Sequence, residues 1–343
     1  MCHEYMLIDP LDSPVVLQVS AEMYPKLLFY FFLLVFLGAV HCELCNKTAL
    51  ASVDVWVHRD RSSRAFSRRN VNFNTLDSFR EVDVTRANVT RLCEGMIRRM
   101  PRLETLSLIG ANLQSIDVDA FLDVPKLNKI YLSVNKLEKI RKGSFNNLDS
   151  LKILYLSNNR IDFIEEGTFE NFNQLEAVYL DRNYLSSFVS NVFSGCPNIR
   201  VIDLSFNQIH QITDNAFVDL KPTHGRLLNI NLNNNRLDQF SASSLLYVTA
   251  VDLRLKNNKL RDIDSIFFNA KPHSKLNFSN NKISCIGDAV AEEMRNSTKS
   301  VIISNNPLEC SCFDRIDDIL GDEILGKGEL IFDTNCVERV HFD

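Results

Sequence analysis

The sequence predicts an α/β solenoid, and three observations predict it. A frame of the form L-x-x-L-x-L-x-x-N-x-L stands at Leu151, Leu154, Leu156, Asn159 and Ile161, again 24 residues earlier from Leu127, and again 24 residues later from Leu175. Asparagine holds the same slot of that frame along most of the chain. A column of phenylalanines, Phe121, Phe145, Phe169, Phe193 and Phe217, keeps the same period. A fixed period of this size marks a chain built of stacked supersecondary units. Such a chain grows in one direction, so its 343 residues do not call for two separate cores.

Ten frames begin at Phe79, Leu103, Leu127, Leu151, Leu175, Ile199, Leu227, Ala250, His273 and Thr298. A strand alternates its side chains, so the second and third apolar residues of each frame point inward and the residues between them point out. The asparagine follows the strand where the chain turns. Its amide both donates and accepts, so a stack of them can satisfy backbone groups that the turn leaves unpaired. Eight of the ten slots hold Asn; the first two hold Ala87 and Ala111, so the ladder should be weakest at its N-terminal end. The column of Val124, Leu148, Phe172 and Leu220 also contains Cys196, which reads as a buried free thiol. Between Ile199 and Leu227 the spacing stretches to 28, and Lys221–Gly225 reads as an inserted loop.

The frame resembles that of the leucine-rich repeat proteins over roughly residues 79–342. The resemblance implies a horseshoe with a parallel concave sheet and a mostly irregular convex side. It extends to Asn306-Pro307-Leu308-Glu309-Cys310-Ser311-Cys312, which is similar to the start of the cysteine-rich C-terminal cap of extracellular members such as the Toll and Slit ectodomains. That cap has four cysteines in the family; residues 309–343 hold three, Cys310, Cys312 and Cys336.

The elements then follow in order. Leu27–Val40 is an apolar run of 14, shorter than the roughly 20 residues of a membrane span. With Lys26 before it and Cys42 after, it reads as a secretory signal within residues 1–42; residues 1–22 are a possible upstream extension, with Met23 as an alternative start. The mature chain is expected near Glu43, secreted and without a membrane span. Four N-x-[ST] sequons, at Asn46, Asn88, Asn277 and Asn296, suit that route. Residues 43–78 form an N-terminal cap without the frame, in which Val53–Val57 alternates like a strand and Trp56 is placed to cover the end of the core. Between Arg59 and Arg102 there are eleven arginines and five acids, a net of +6. This is a candidate site for a polyanion such as a sulfated glycan, or simply a solvated face. The array spans 79–308. The C-terminal cap, 309–343, carries ten acids and three bases, a net of −7. Cysteines gathered at the two ends suit disulfide-closed caps. Cys45–Cys93 is expected at one end; at the other Cys310–Cys336 is the first choice and Cys312–Cys336 the second.

Composition and motifs argue against several functions. The net charge of −5 gives no global case for nucleic acid. No G-x-S-x-G, H-E-x-x-H or phosphate loop is present, and the seven histidines are scattered, so neither an enzyme, a cofactor nor a metal site is expected. The expected role is recognition of an extracellular protein, in defence, adhesion or signalling, through the concave face. A hydrolase inhibitor and a structural, glycosaminoglycan-binding matrix protein are the alternatives. The partner site is expected at Tyr131, Tyr155 and Tyr179, which hold one outward slot in three successive frames, flanked by Lys129, Asp181 and Arg182. Tyrosine offers broad apolar area with a polar tip at little entropic cost, which suits it to interfaces.

Overall fold

A computed structural model describes residues 54–58, 64–68, 79–85, 88–214, 216–217, 220, 227–240, 242–245, 248, 251–263, 274–320 and 329–331. Its spine is one thirteen-stranded sheet in which sequence order and spatial order coincide after the first two strands. The strands are β1 (Asp54–His58), β2 (Arg64–Arg68), β3 (Glu81–Thr85), β4 (Thr105–Ser107), β5 (Lys129–Tyr131), β6 (Ile153–Tyr155), β7 (Ala177–Tyr179), β8 (Val201–Asp203), β9 (Leu228–Asn231), β10 (Val251–Arg254), β11 (Ser274–Asn277), β12 (Thr298–Ile302) and β13 (Glu329–Ile331). From β3 to β12 there is one strand for each of the ten frames, and each pairs in parallel with the next. β13 continues the parallel sheet from the C-terminal cap.

The N-terminal end is built differently. β1 pairs antiparallel with both β2 and β3, so the cap closes the sheet as a hairpin. The strand expected around Trp56 is therefore present, and β2, inside the basic run, is an addition that the sequence did not reveal. The expected signal Leu27–Val40 and the loop Lys221–Gly225 lie outside the described residues.

Inward residues of the frame form one continuous core. Leu151, Leu154, Leu156 and Ile161 are fully buried, and so are their equivalents one turn to either side. On the convex side the phenylalanines stack ring over ring from Phe121 to Phe193, with centroids 5.3–6.1 Å apart. Among the described residues that side holds two-residue strand pairs, such as Lys139–Ile140 against Phe163–Ile164, and a 3-10 turn at Ala242–Leu245. Near the C-terminus it changes to helix, with α1 at Asp288–Ser297 and α2 at Cys310–Leu320.

The asparagine ladder carries the turn. Asn159 accepts a hydrogen bond from the Leu137 N–H of the preceding turn at 3.1 Å. Its Nδ2 donates to the Leu132 carbonyl of that turn at 2.9 Å and to its own Leu156 carbonyl at 3.0 Å. The same three bonds recur at Asn183, Asn207, Asn235, Asn258, Asn281 and Asn306, and Asn135 starts the series. All eight asparagines are buried. An alanine at this slot, as at Ala111, leaves those groups to other partners.

Cysteine pairing corrects one expectation. Cys312 is bonded to Cys285, with Cα atoms 5.5 Å apart, so it does not pair with Cys336. Cys285 lies before residues 309–343, in the ninth frame. The two positions are 27 residues apart, about one turn of the solenoid, so they fall side by side on neighbouring turns. Closing a loop of that length stabilises by roughly 3 kcal/mol. Cys93 and Cys310 are also disulfide-bonded. The partners expected for them, Cys45 and Cys336, lie outside the described residues. Cys196 is free and buried, as read from its column. Its Sγ–H donates to the Phe169 carbonyl at 2.9 Å, and burial pushes the thiol up to about 12.

Two outcomes are expected from this packing. Asn159→Ala strips a buried N–H and two carbonyls of their partner and should lower the unfolding free energy by about 2–3 kcal/mol in chemical denaturation. Cys196 should resist alkylation in the folded protein at pH 8 and react once denaturant is added. The unfolded thiol ionises near its ordinary value while the folded one stays protonated. Its contribution to stability is thus complete below about pH 8.5 and declines as pH rises towards 12.

Candidate recognition surface on the concave sheet

The outward slots form rows that run across the turns. Parallel pairing sets Tyr131, Tyr155 and Tyr179 directly opposite one another on β5, β6 and β7. Their rings stack with centroids 4.6 Å apart and planes within 6° of parallel. That distance is the strand spacing itself, so the backbone fixes the stack. All three are half-buried, with the rings shielded by each other and by the sheet. Burial raises the phenol pKa of Tyr155 and Tyr179, reinforced by Tyr131 beside the first and by Tyr155 and Asp203 beside the second. Both hydroxyls are therefore protonated at neutral pH and available as donors.

On one side of the stack runs the row Lys129, Ile153, Ala177 and Val201, apolar beyond its first member. Lys129 heads it and makes no ion pair among the described residues. On the other side stand Ser157 and Asp181, and the Ser157 hydroxyl donates to the Asp181 carboxylate. The tyrosine row ends at Asp203, which accepts from the Ser205 N–H at 2.9 Å and from Asn231 Nδ2 at 3.1 Å. Of the expected flanking residues, Lys129 and Asp181 stand on opposite sides of the column. Arg182 faces away from it: its guanidinium lies 4.4 Å over the Phe206 ring, and its Nε is 3.9 Å from Asp181.

A second row was missed from the sequence. The residue just before each ladder slot sits in the left-handed backbone region, with φ between +54° and +66° from Gly110 to Asn305. Six of the nine are Gly or Asn, which tolerate that conformation. The other three are Val134, Arg182 and Phe206, and they occur in the turns beside the tyrosines. Val134 is 57% exposed and Phe206 46%. A β-branched or aromatic residue with positive φ is strained, and the core gains nothing from either side chain. Strain of this kind gathers at functional sites. The sequence did carry a signal: Asn-Asn pairs at the other turns make these departures visible.

The expected glycosylation sites scatter. Asn88 is exposed at the side, accepting from Asn112 Nδ2 at 2.6 Å. Asn277 is half-exposed on the concave face between buried Leu276 and Phe278, and its Oδ1 accepts from the Ser279 hydroxyl at 2.7 Å. Asn296 falls in α1, and Asn46 lies outside the described residues. Among the described residues no cluster of His, Cys, Asp or Glu could hold a metal ion, and no helix is long and apolar enough to cross a membrane.

The repeat geometry agrees with comparison. A family model described as leucine rich repeat matches residues 77–137, 125–185 and 173–237. Residues 77–237 are therefore leucine-rich repeats. Among solved structures, the chain is similar to one in the Drosophila Toll–Spatzle complex, at 23% identity and a TM-score of 0.61 over 69% of this chain and 33% of that one. It is also similar to one in the mouse RP105/MD-1 complex, at 19% identity and a TM-score of 0.58 over 70% of this chain and 40% of that one. At these identities the likeness is one of fold, and the chain spans about a third of the length of the Toll chain. Compared by sequence with curated proteins, it matches none.

Val134→Asn should relieve the strained turn and raise the unfolding free energy by about 1 kcal/mol, read from denaturant midpoints. Phe206→Asn should gain less, because it also removes the ring under Arg182.

Proposed function

We propose that this leucine-rich repeat protein is a secreted recognition module that binds a protein partner across the middle of its concave face. The observation that carries the reading is the tyrosine stack, with the strained, exposed Val134 and Phe206 on its rim. Together they make an apolar, hydroxyl-tipped patch on rigid strands. A surface of this kind loses little freedom on binding, and aromatic side chains dominate interface energetics. Lys129 and Asp181 at opposite ends of the patch would orient the partner. The two similar structures were both solved as complexes, with Spatzle and with MD-1, which supports a protein ligand for this chain as well. Secretion and at least one N-linked glycan belong to the same reading, from the apolar run before Glu43 and the sequons after it.

The test begins with affinity capture from native extracellular fluid on the glycosylated mature protein. With that partner in hand, Tyr155→Ala should weaken binding by at least about 1–2 kcal/mol while melting and secretion stay nearly unchanged. Undiminished binding by the triple Tyr131, Tyr155 and Tyr179 alanine variant would place the contact elsewhere.

A further inference from the structure

Past the tyrosines the exposed surface changes character. The described residues from Leu227 to Gly287 carry seven cations, Arg236, Arg254, Lys256, Lys259, Arg261, Lys275 and Lys282. They carry three acids, Asp238, Asp252 and Asp262, so this wedge is net +4 in a chain that is net −5. Only Arg254 is ion-paired within the described residues, to Asp252 at 2.9 Å. Three of the cations stand in one row. Arg236, Lys259 and Lys282 each follow a ladder asparagine, and all three are exposed. The Lys259 N–H bonds to the Leu237 carbonyl at 2.7 Å and the Lys282 N–H to the Leu260 carbonyl at 2.8 Å, which holds the row in register. Neighbours are one strand spacing apart, about 4.8 Å. Stacked like charges without counter-ions repel one another, so the fold alone gains nothing from this row. Asp238 and Asp262 are the nearby carboxylates, and neither forms an ion pair with it.

Beside the cations runs a row of amides. Asn257 Nδ2 donates to Asn234 Oδ1 and Asn280 Nδ2 to Asn257 Oδ1, each at 2.7 Å. No large hydrophobic side chain is exposed among the described residues of this wedge. Surfaces that insert into a membrane carry an apolar group, and those that bind single-stranded nucleic acid carry aromatic rings to stack on. Exposed cations beside a row of amides suit a linear polyanion with many hydroxyls.

We infer that the flank of the C-terminal repeats binds a sulfated polysaccharide, with Arg236, Lys259 and Lys282 holding successive anionic groups along the solenoid axis and the asparagine row meeting sugar hydroxyls. The site is separate from the tyrosine patch and from the basic N-terminal run, and it does not depend on the protein partner proposed above.

The probe is a heparin decasaccharide, titrated calorimetrically into the full secreted chain at 50 and 150 mM NaCl. Binding should be measurable at 150 mM and weaken steeply with salt. Arg236→Gln/Lys259→Gln/Lys282→Gln should weaken it at least tenfold without moving the melting temperature. Lys126→Gln/Lys139→Gln/Arg141→Gln removes the same charge elsewhere and should change affinity less than twofold. Should the triple variant fail to secrete, Lys259→Gln alone should weaken binding about threefold. Equal loss in both triple variants, undiminished binding by the flank variant, or no binding by the unaltered chain overturns the site. Equally tight binding of hyaluronan or of a DNA duplex of matched charge overturns the sulfated polysaccharide as its ligand.

Discussion

The structure depends on one recurring exchange, in which, from Asn135 on, the asparagine of a turn completes the hydrogen bonding of the turn before it. The side chain supplies an acceptor for one backbone N–H of the previous turn and donors for one carbonyl there and one of its own. Without it, the strands of these turns would end in buried polar groups, each left unmet at about 1–3 kcal/mol. The exchange has a direction. Removing a turn from the C-terminal side strips the remaining one of its partners, whereas removing one from the N-terminal side mainly frees an amide to solvent. A firm C-terminal closure follows from this, and the chain provides it by a disulfide between neighbouring turns and by β13, a further parallel strand.

With the turns so fixed, the concave face becomes a plane on which chemistry is written in rows. One slot gives tyrosines and then Asp203, Asn231 and Arg254; on the flank, the slot after the ladder gives Arg236, Lys259 and Lys282. Because outward slots do not touch the core, their identity is free to follow ligands. The left-handed slot is the informative exception. There the backbone does have a preference, so Val134 and Phe206 stand out against it in a way that an exposed apolar residue on a strand would not.

Much of this was legible from the frame. Strand number and register, the buried phenylalanine column, the ladder's bonds and the stacked tyrosines all follow from a constant period, because a constant period makes neighbours in space of residues equivalent in sequence. What escaped notice lay where that rule weakens. Cys285 sits inside a frame, apart from the cysteines after it, yet its bond reaches Cys312 one turn on. The hairpin partner β2 and the helix α2 occur at the ends, where the period stops and local patterning takes over, and α1 lies between the last two frames. Arg182 was placed near the column by spacing alone; only the geometry shows it stacked on Phe206.

Cys196 has a consequence in time as well as in space. Its sulfur lies under Phe169 in the middle of the array, far in sequence from the cysteines that pair. During maturation in any setting oxidising enough to join Cys285 and Cys312, an uncovered Cys196 is a competitor for both. Docking of the central turns must therefore outrun oxidation at the end, and a chain that stalls halfway would be captured as a mispaired isomer.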